Sequence, residues 1–273
     1  MSHARTQSHW SFAFTRLGIP QIVTFHDSTG RVAEWLRPLR ENPHVRVRFI
    51  SEFQRDAWAV QRAERSRSFF LHHGLRREQF ELCLPSATEE EPYHLWVAGL
   101  KWGPKKGINI FLDLANRNPN EQFRAYGGGD QSGRVVPQLR QMEKMLPNFK
   151  FLGELKRGKQ HSKVFCGAKT FVMPTLLPEA FGLTIIEAFS KGTPVIGSVH
   201  GALPELIGRD SVMGVVADDV KTMSMALHLP YNRTRVHGEA LRRFSSGSEV
   251  EALLVQSRKL LSLLAAGAAA SSQ

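Results

Sequence analysis

A strand, a loop, a helix and a second strand follow one another within residues 170–198, and this succession constrains the fold strongly. TFVMP is β-branched and apolar and stops at Pro174, which predicts a short buried strand. FGLTIIEAFSKG predicts a helix that ends at Gly192, and TPVIGS predicts a second buried strand. Such a βαβ unit is the building block of a parallel sheet.

The alternation of strands and helices is regular from Tyr93 onward. HLWVAGL, FRAYGGG, FKFLG and GVVAD predict further strands, separated by helices of about 10–15 residues. This pattern predicts an α/β fold with a doubly wound parallel sheet. Upstream, QIVTFHD (21–27) and VRVRFIS (45–51) predict strands of a smaller sheet, and a further strand is predicted at residues 80–84.

The polar stretch PSATEEEPY, residues 85–93, predicts a boundary between two domains. We therefore expect an N-terminal domain at residues 1–92 and a second domain at residues 93–248. An amphipathic helix with a frayed tail is predicted at residues 249–273.

The net charge of +11 is compatible with phosphorylated substrates, an anionic membrane surface or nucleic acid. We expect no nucleic-acid partner, because no helix-turn-helix, zinc-finger or RNP pattern is present. No apolar run approaches the roughly 18 residues of a membrane span. Cys83 and Cys166 lack metal-ligand spacing and are interpreted as buried thiols of a reducing compartment. These features predict a cytoplasmic chain, with peripheral membrane association left open. Asn232-Arg-Thr fits the N-glycosylation pattern, which we treat as a coincidence.

Two glutamates eight positions apart, Glu179 and Glu187, are the candidate ligand-binding residues of the strand–loop–helix–strand segment at residues 170–198. Two helical turns would bring both carboxylates to one face, where they could bind a polyhydroxylated ligand. The backbone N–H groups at the predicted helix start belong to Phe181, Gly182 and Leu183. These groups form a natural phosphate cradle, to which Thr184 adds a hydroxyl. By itself the glutamate spacing arises often by chance, and a lone glutamate on a helix is usually solvated.

The full string PEAFGLTIIEAFSKGTPVIGS, followed by GALPELI, closely resembles the signature of retaining GT-B glycosyltransferases, in particular glycosyltransferase family 4. The resemblance implies a GT-B-like fold with a complete C-terminal Rossmann-like domain. The N-terminal Rossmann-like half is expected to be truncated, because the glycine-rich loop of the family has no counterpart here. Exposed sheet edges in such a half make a homo-oligomer or a completing subunit expected.

The resemblance also implies a role for each matching position. Glu179 would hold hydroxyls of the donor sugar and Glu187 the ribose, with Ala180 among the donor-binding residues. Lys101 and Lys106 would bind the diphosphate, although family members often have arginine at the first of these positions. On spacing alone, a basic surface loop is the less favoured alternative for the two lysines.

Two further segments resemble donor-contacting parts of the family. FKFLGEL matches the segment whose backbone, near Leu152 and Gly153, receives the nucleotide base. PQIVTFHDS matches the strand whose terminal histidine, here His26, faces the donor sugar. A lone histidine at a strand end is more often structural without such a match. Together the matches imply that Glu179, His26 and Lys106 are the catalytic residues.

The implied reaction moves a hexose from a nucleoside-diphosphate sugar to an acceptor hydroxyl, with retention at the anomeric carbon. No cofactor and no metal are expected, because there is no Asp-x-Asp and because lysines and helix amides supply positive potential. The acceptor stays open between a glycan, a lipid and a small molecule. The alternative is a catalytically silent or partner-dependent remnant that only binds the nucleotide sugar.

Overall fold

The structure is a computed structural model that describes residues 20–26, 42–58, 65–84 and 91–270. The chain divides into two compact units: unit 1 is Met1–Gly74 with Ser246–Gln273, and unit 2 is Leu75–Ser245. The predicted linker lies mostly outside the described residues. Residues 80–84 belong to unit 2 because the Glu81 and Cys83 N–H groups donate to Ser190 O (3.0 Å) and Lys191 O (3.2 Å).

The strands are β1 (Gln21–Thr24), β2 (Val45–Phe49), β3 (Ser68–Phe70), β4 (Tyr93–Val97), β5 (Gln122–Tyr126), β6 (Phe149–Phe151), β7 (Ala168–Met173), β8 (Val195–Gly197) and β9 (Gly214–Val216). The helices are α1 (Glu52–Ala57), α2 (Ile108–Arg117), α3 (Val135–Met145), α4 (Lys159–Gly167), α5 (Leu183–Phe189), α6 (Leu203–Ile207), α7 (Val220–Ala226), α8 (Arg233–Phe244) and α9 (Ser246–Ala270). Among the described residues, no helix is both long and apolar enough to cross a membrane.

Unit 1 contains a parallel three-stranded sheet with the order β1-β2-β3. The first two strands were predicted, whereas the three-residue β3 was not. Ser51 caps α1 by accepting a hydrogen bond from the Gln54 N–H at 3.0 Å. The core of unit 1 is aromatic and β-branched, because alternate residues of the strands turn inward. Its buried members are Phe25, Val45, Val47, Phe49 and Trp58.

Unit 2 contains a parallel six-stranded sheet with the order β6-β5-β4-β7-β8-β9. Strand β4 is central and almost wholly buried, which is why its sequence, YHLWV, is nearly continuous in large side chains. Helix α2 buries Ile108, Phe111, Leu114 and Ala115 along one face. The α/β class and the doubly wound parallel sheet are therefore confirmed.

One predicted strand in unit 2 is wrong, and one helix of this unit was missed. Residues 80–84 form no strand, because their backbone pairs with the end of α5 rather than with a sheet edge. Helix α8 had not been predicted, since its sequence RTRVHGEALRRF is dominated by polar residues. Asn232 caps this helix by accepting from the Arg235 N–H at 3.0 Å. The apparent glycosylation pattern is thus a helix start.

Arg233, the first residue of α8, links four backbone segments of unit 2. Its guanidinium donates at 2.7–3.3 Å to carbonyl oxygens and one hydroxyl, on Cys83, Cys166, Ala168, Lys191 and Thr193. Burial lowers the pKa of Arg233 to about 10. The side chain therefore gives these oxygen atoms a largely buried, charged donor.

Cys83 and Cys166 form a disulfide, with Cα atoms 5.2 Å apart. The prediction of two free thiols is therefore wrong. The residues are 83 positions apart, and the segment before β4 brings the first against the end of α4. The cysteine argument for a reducing compartment loses its basis with this pairing.

Unit 2 begins and ends at neighbouring residues. The Leu75 N–H donates to Phe244 O at 2.8 Å, and Leu75 forms a parallel bridge with Ser245. The chain therefore enters and leaves this unit through paired backbone.

Candidate functional site

The loops after β4 and β7 meet at the carboxyl edge of the unit 2 sheet, where these neighbouring parallel strands end. Gly107 has a φ of +80°, and a Cβ there would lie 1.9 Å from Pro174 O. Only glycine therefore allows this approach. A backbone hydrogen bond also joins the two loops: the Leu176 N–H donates to Lys105 O at 2.8 Å.

This approach brings Lys106 and Glu179 together as an ion pair between Nζ and Oε1. The Thr175 hydroxyl donates to the same carboxylate at 3.3 Å. The two charged side chains are 21% and 15% exposed, so the pair is largely enclosed but reachable by a ligand. Both residues were predicted as site residues from the sequence, and their pairing was not.

A third loop, after β8, fixes the backbone of Glu179. Gly201 has a φ of +72°, and a Cβ there would lie 2.2 Å from Glu179 N and 2.4 Å from Glu179 O. The Ala202 N–H donates to Glu179 O at 2.9 Å. The sequence signal was present in GALPEL, but Gly201 was not singled out.

Helix α5 starts later and ends earlier than predicted, spanning Leu183–Phe189. Glu179 therefore lies in the preceding loop, and two helical turns do not separate it from Glu187. Gly182 is the N-cap with a φ of +123°, and its carbonyl accepts from the Ile185 N–H at 3.0 Å.

The remaining residues predicted at the start of α5 differ in exposure. Phe181 is buried, Ala180 is half-buried and Leu183 is exposed. The Thr184 hydroxyl lies 3.9 Å from Met173 Sδ, which gives it a weak acceptor inside unit 2. Backbone and side chains of this segment thus form the rim beside Glu179.

Glu187, on α5, faces His161 of α4, with Oε2 3.4 Å from Nε2. The His161 ring packs against Phe165 at a centroid distance of 4.8 Å. His161 was missed by sequence reasoning because α4 carries no motif, and a single helical histidine gives no signal.

Lys101 lies in a short 3-10 turn after β4 and is exposed. Its ammonium and that of Lys105 both lie 5.5 Å from the centroid of the Trp102 ring. The ring face attracts both cations, so this loop presents concentrated positive charge.

Leu152 and Gly153 follow β6. The Leu152 N–H donates to Ala125 O at 2.9 Å, and Gly153 O accepts from the Gly127 N–H at 2.8 Å. The Leu152 side chain is exposed, and Gly153 has a φ of +77°. This turn is therefore held by backbone bonds at the same carboxyl edge of the sheet.

His26 follows β1 in unit 1 and is exposed. Its Nδ1 lies 3.2 Å from Nε2 of His73, with ring centroids 5.0 Å apart. Burial lowers the pKa of both imidazoles, and the Arg48 guanidinium lowers them further. Sequence reasoning singled out His26 but missed His73.

A cavity of about 820 Å³ lies elsewhere in unit 2. Its lining includes Tyr93, Arg124, Lys163 and Lys169, and Leu152 is the single predicted site residue among its walls. The cavity does not coincide with the Lys106–Glu179 pair. The candidate site is the Lys106–Glu179 pair, because three loops converge there and bring together charged side chains that can bind a ligand. The size of the cavity does not by itself indicate such binding.

The carboxyl edge of the unit 2 sheet thus combines lysines, carboxylates and a helix whose N-cap residue is glycine. Ligands of open α/β sheets bind at this edge. Lysines suit phosphate oxygens and carboxylates suit hydroxyl groups.

The family model of glycosyl transferases group 1 matches residues 91–229. The chain belongs to this family. The matched range contains every candidate site residue of unit 2.

Curated relatives support the same placement. Over 137 residues the chain is 26% identical to sulfoquinovosyl transferase SQD2 of Arabidopsis thaliana, covering 50% of this chain and 25% of that protein. Over 216 residues it is 26% identical to phosphatidyl-myo-inositol mannosyltransferase of Mycobacterium tuberculosis, covering 71% and 52%. The chain therefore spans between a quarter and about half of these relatives.

Solved structures support the fold. The structure of Anabaena HepE in complex with UDP has a TM-score of 0.70 and 16% identity, covering 95% of this chain and 76% of that chain. TarM has a TM-score of 0.68 and 16% identity, covering 90% and 53%. These similarities confirm the GT-B-like α/β architecture.

Proposed function

We propose that the chain is a retaining glycosyltransferase of family 4 that moves a hexose from a nucleoside-diphosphate sugar to an acceptor hydroxyl. The observation that carries the proposal is the Lys106–Glu179 ion pair at the carboxyl edge of the sheet. It joins a phosphate-binding cation to a hydroxyl-binding carboxylate at the two positions that match the family motif. UDP complexes of similar folds add support for the donor class.

The donor diphosphate would lie between Lys106, Lys101 and the N–H groups at the start of α5. Positive charge here stabilises the diphosphate as negative charge builds on it. Thr184 adds a hydroxyl to the same rim. Glu179 would accept hydrogen bonds from sugar hydroxyls, and Glu187 from the ribose.

For the retaining route we propose attack from the side of the leaving group, which is the route that the family resemblance implies. The acceptor oxygen bonds to the anomeric carbon while the bond from that carbon to the phosphate oxygen breaks. The acceptor proton passes to the leaving phosphate oxygen, so no protein base is needed. We propose that no metal takes part, because the lysines and backbone amides supply the positive potential.

The acceptor class is a glycan, a lipid or a small molecule. The net charge of +11 supports an acceptor at an anionic membrane surface. Sedimentation with anionic and neutral vesicles tests this part separately.

The first experiment measures thermal stability of the full chain with a panel of nucleoside diphosphates and their sugars. One nucleotide should raise the melting temperature, and Glu187→Ala should weaken that rise. Glu179→Ala should weaken the additional rise that the attached sugar gives. Glu251→Ala, at an exposed position on α9, is the matched control and should leave both unchanged.

No rise for any nucleotide from a folded sample would contradict the proposed donor site. Turnover with an acceptor panel then separates the enzyme from a binding module. Donor binding without turnover would favour the silent or partner-dependent alternative.

A further inference from the structure

The backbone immediately before His26 is held by the unit 1 core. The Phe25 N–H donates to Arg48 O at 3.1 Å, and Phe25 O accepts from Gln54 Nε2 at 3.2 Å. Phe25 is itself buried, with its ring 4.7 Å from that of Trp58. The exposed imidazole of His26 therefore follows a backbone position that is anchored on its N-terminal side.

His26 and His73 form a hydrogen-bonded pair. Nδ1 of His26 lies 3.2 Å from Nε2 of His73, and the ring planes differ by 6°. Such a bond between neutral imidazoles needs one protonated nitrogen and one bare nitrogen. Two proton arrangements satisfy it, and they leave opposite chemistry on the outer nitrogen of His26.

The position of Glu249 favours one of the two proton arrangements. Its Oε1 lies 3.7 Å from Nδ1 of His73. The carboxylate is fixed by the Arg48 guanidinium and by the Gly74 N–H, which donates to Oε2 at 2.7 Å. A carboxylate beside Nδ1 favours a proton on that nitrogen, so Nε2 of the neutral His73 ring is bare.

The bare Nε2 of His73 then accepts the proton of His26 Nδ1–H. The outer nitrogen of His26, Nε2, is left without a proton and can accept a hydrogen bond. We propose that Glu249 and His73 are positioning residues that hold His26 as its Nδ1–H tautomer and so make its Nε2 a hydrogen-bond acceptor for a substrate hydroxyl. The role of His26 Nε2 toward a substrate hydroxyl rests on the proposed function, whereas the assignment of the tautomer does not.

Burial and a neighbouring cation favour the neutral form of both rings. Burial lowers the pKa of His26 and of His73, and Arg48 on β2 lowers each further. Glu249 on α9 acts in the opposite direction on both. Burial is the largest of these effects on either ring.

Nitrogen-15 NMR of the histidine-labelled full chain tests the assignment at pH 7.5. The ring-nitrogen signals that are absent from the spectrum of the His26→Gln variant are assigned to His26. The proposal predicts that this ring is mainly Nδ1–H in the wild type. His73→Phe keeps a flat ring but removes the acceptor, and should shift the tautomer ratio toward Nε2–H by about tenfold.

Two further variants complete the test. His73→Gln restores an oxygen acceptor and should recover part of the Nδ1–H population. His72→Phe changes the neighbouring histidine, whose ring packs on Phe70, and should leave the ratio unchanged. A wild-type ring that is mainly Nε2–H, or a ratio that His73→Phe does not move, would overturn the proposal. Because no donor is present, neither result depends on the glycosyl-transfer reaction.

Discussion

Gly201→Ala tests whether the loop after β8 sets the position of Glu179. A Cβ at this site would lie 2.4 Å from Glu179 O, whereas ordinary contact begins near 3.4 Å. The loop carrying Glu179 must therefore shift by about 1 Å. A misplacement of this size costs about 100-fold in reaction rate, and we expect a loss of the same order in affinity for the nucleotide sugar. The positive φ of +72° adds a strain of about 1–2 kcal/mol for any residue with a Cβ.

The assay is donor-induced thermal stabilisation. At a donor concentration of about 100 times Kd, the wild type should gain about 2.7 kcal/mol. A 100-fold weaker site gains only about 0.4 kcal/mol under the same conditions by the same linkage relation. Gly201→Ala should therefore lose most of the donor effect.

Gly133→Ala is the matched control, since Gly133 has a φ of +65° and open space around a Cβ. It should cost the same strain, lowering the melting temperature by about 2–8 °C, and keep the full donor effect. The reasoning fails if Gly201→Ala keeps wild-type donor affinity, or if the two variants lose affinity equally.

Three further predictions concern unit 2. In denaturant titrations, Arg233→Leu should lower the free energy of unfolding by about 3–5 kcal/mol, because carbonyl oxygens lose a buried, charged donor. The control is Arg235→Leu at an exposed position, which should change this free energy by less than about 0.5 kcal/mol. Cys83→Ser should cost about 2–4 kcal/mol, and reductant should destabilise the wild type but not this variant. The hydrogen bond from His94 holds the pKa of Glu121 at about 2, below its unfolded value of 4.5, so its stabilisation is present above pH 4.5 and is lost as the pH falls toward 2. Glu121→Gln should flatten this part of the stability–pH curve, and an unchanged acid limb would contradict the assignment.

The parallel sheet of unit 2 was predictable because its strands are short apolar runs between glycines and prolines. TFVMP and TPVIGS became β7 and β8 with neighbouring positions in the sheet. The polar helix α8 was not predictable in this way, since its start depends on the single cap Asn232.

The sequence singled out Lys106 and Glu179 individually, but it did not predict that their side chains meet. Lys106 and Glu179 are 73 positions apart, and their pairing follows from the glycine contact between Gly107 and Pro174. His161 reaches Glu187 from another helix, and no local pattern encodes such a tertiary contact.

The paired backbone at Leu75 and Ser245 gives unit 2 the topology of an insertion. The polypeptide leaves unit 1 at Gly74, builds all of unit 2 and returns at Ser246, and the first and last residues of unit 2 are bridged to each other. A short turn could therefore replace the whole of unit 2 without stretching the remaining chain. By the same geometry, we expect that residues 75–245 could be inserted into a single loop of a host protein.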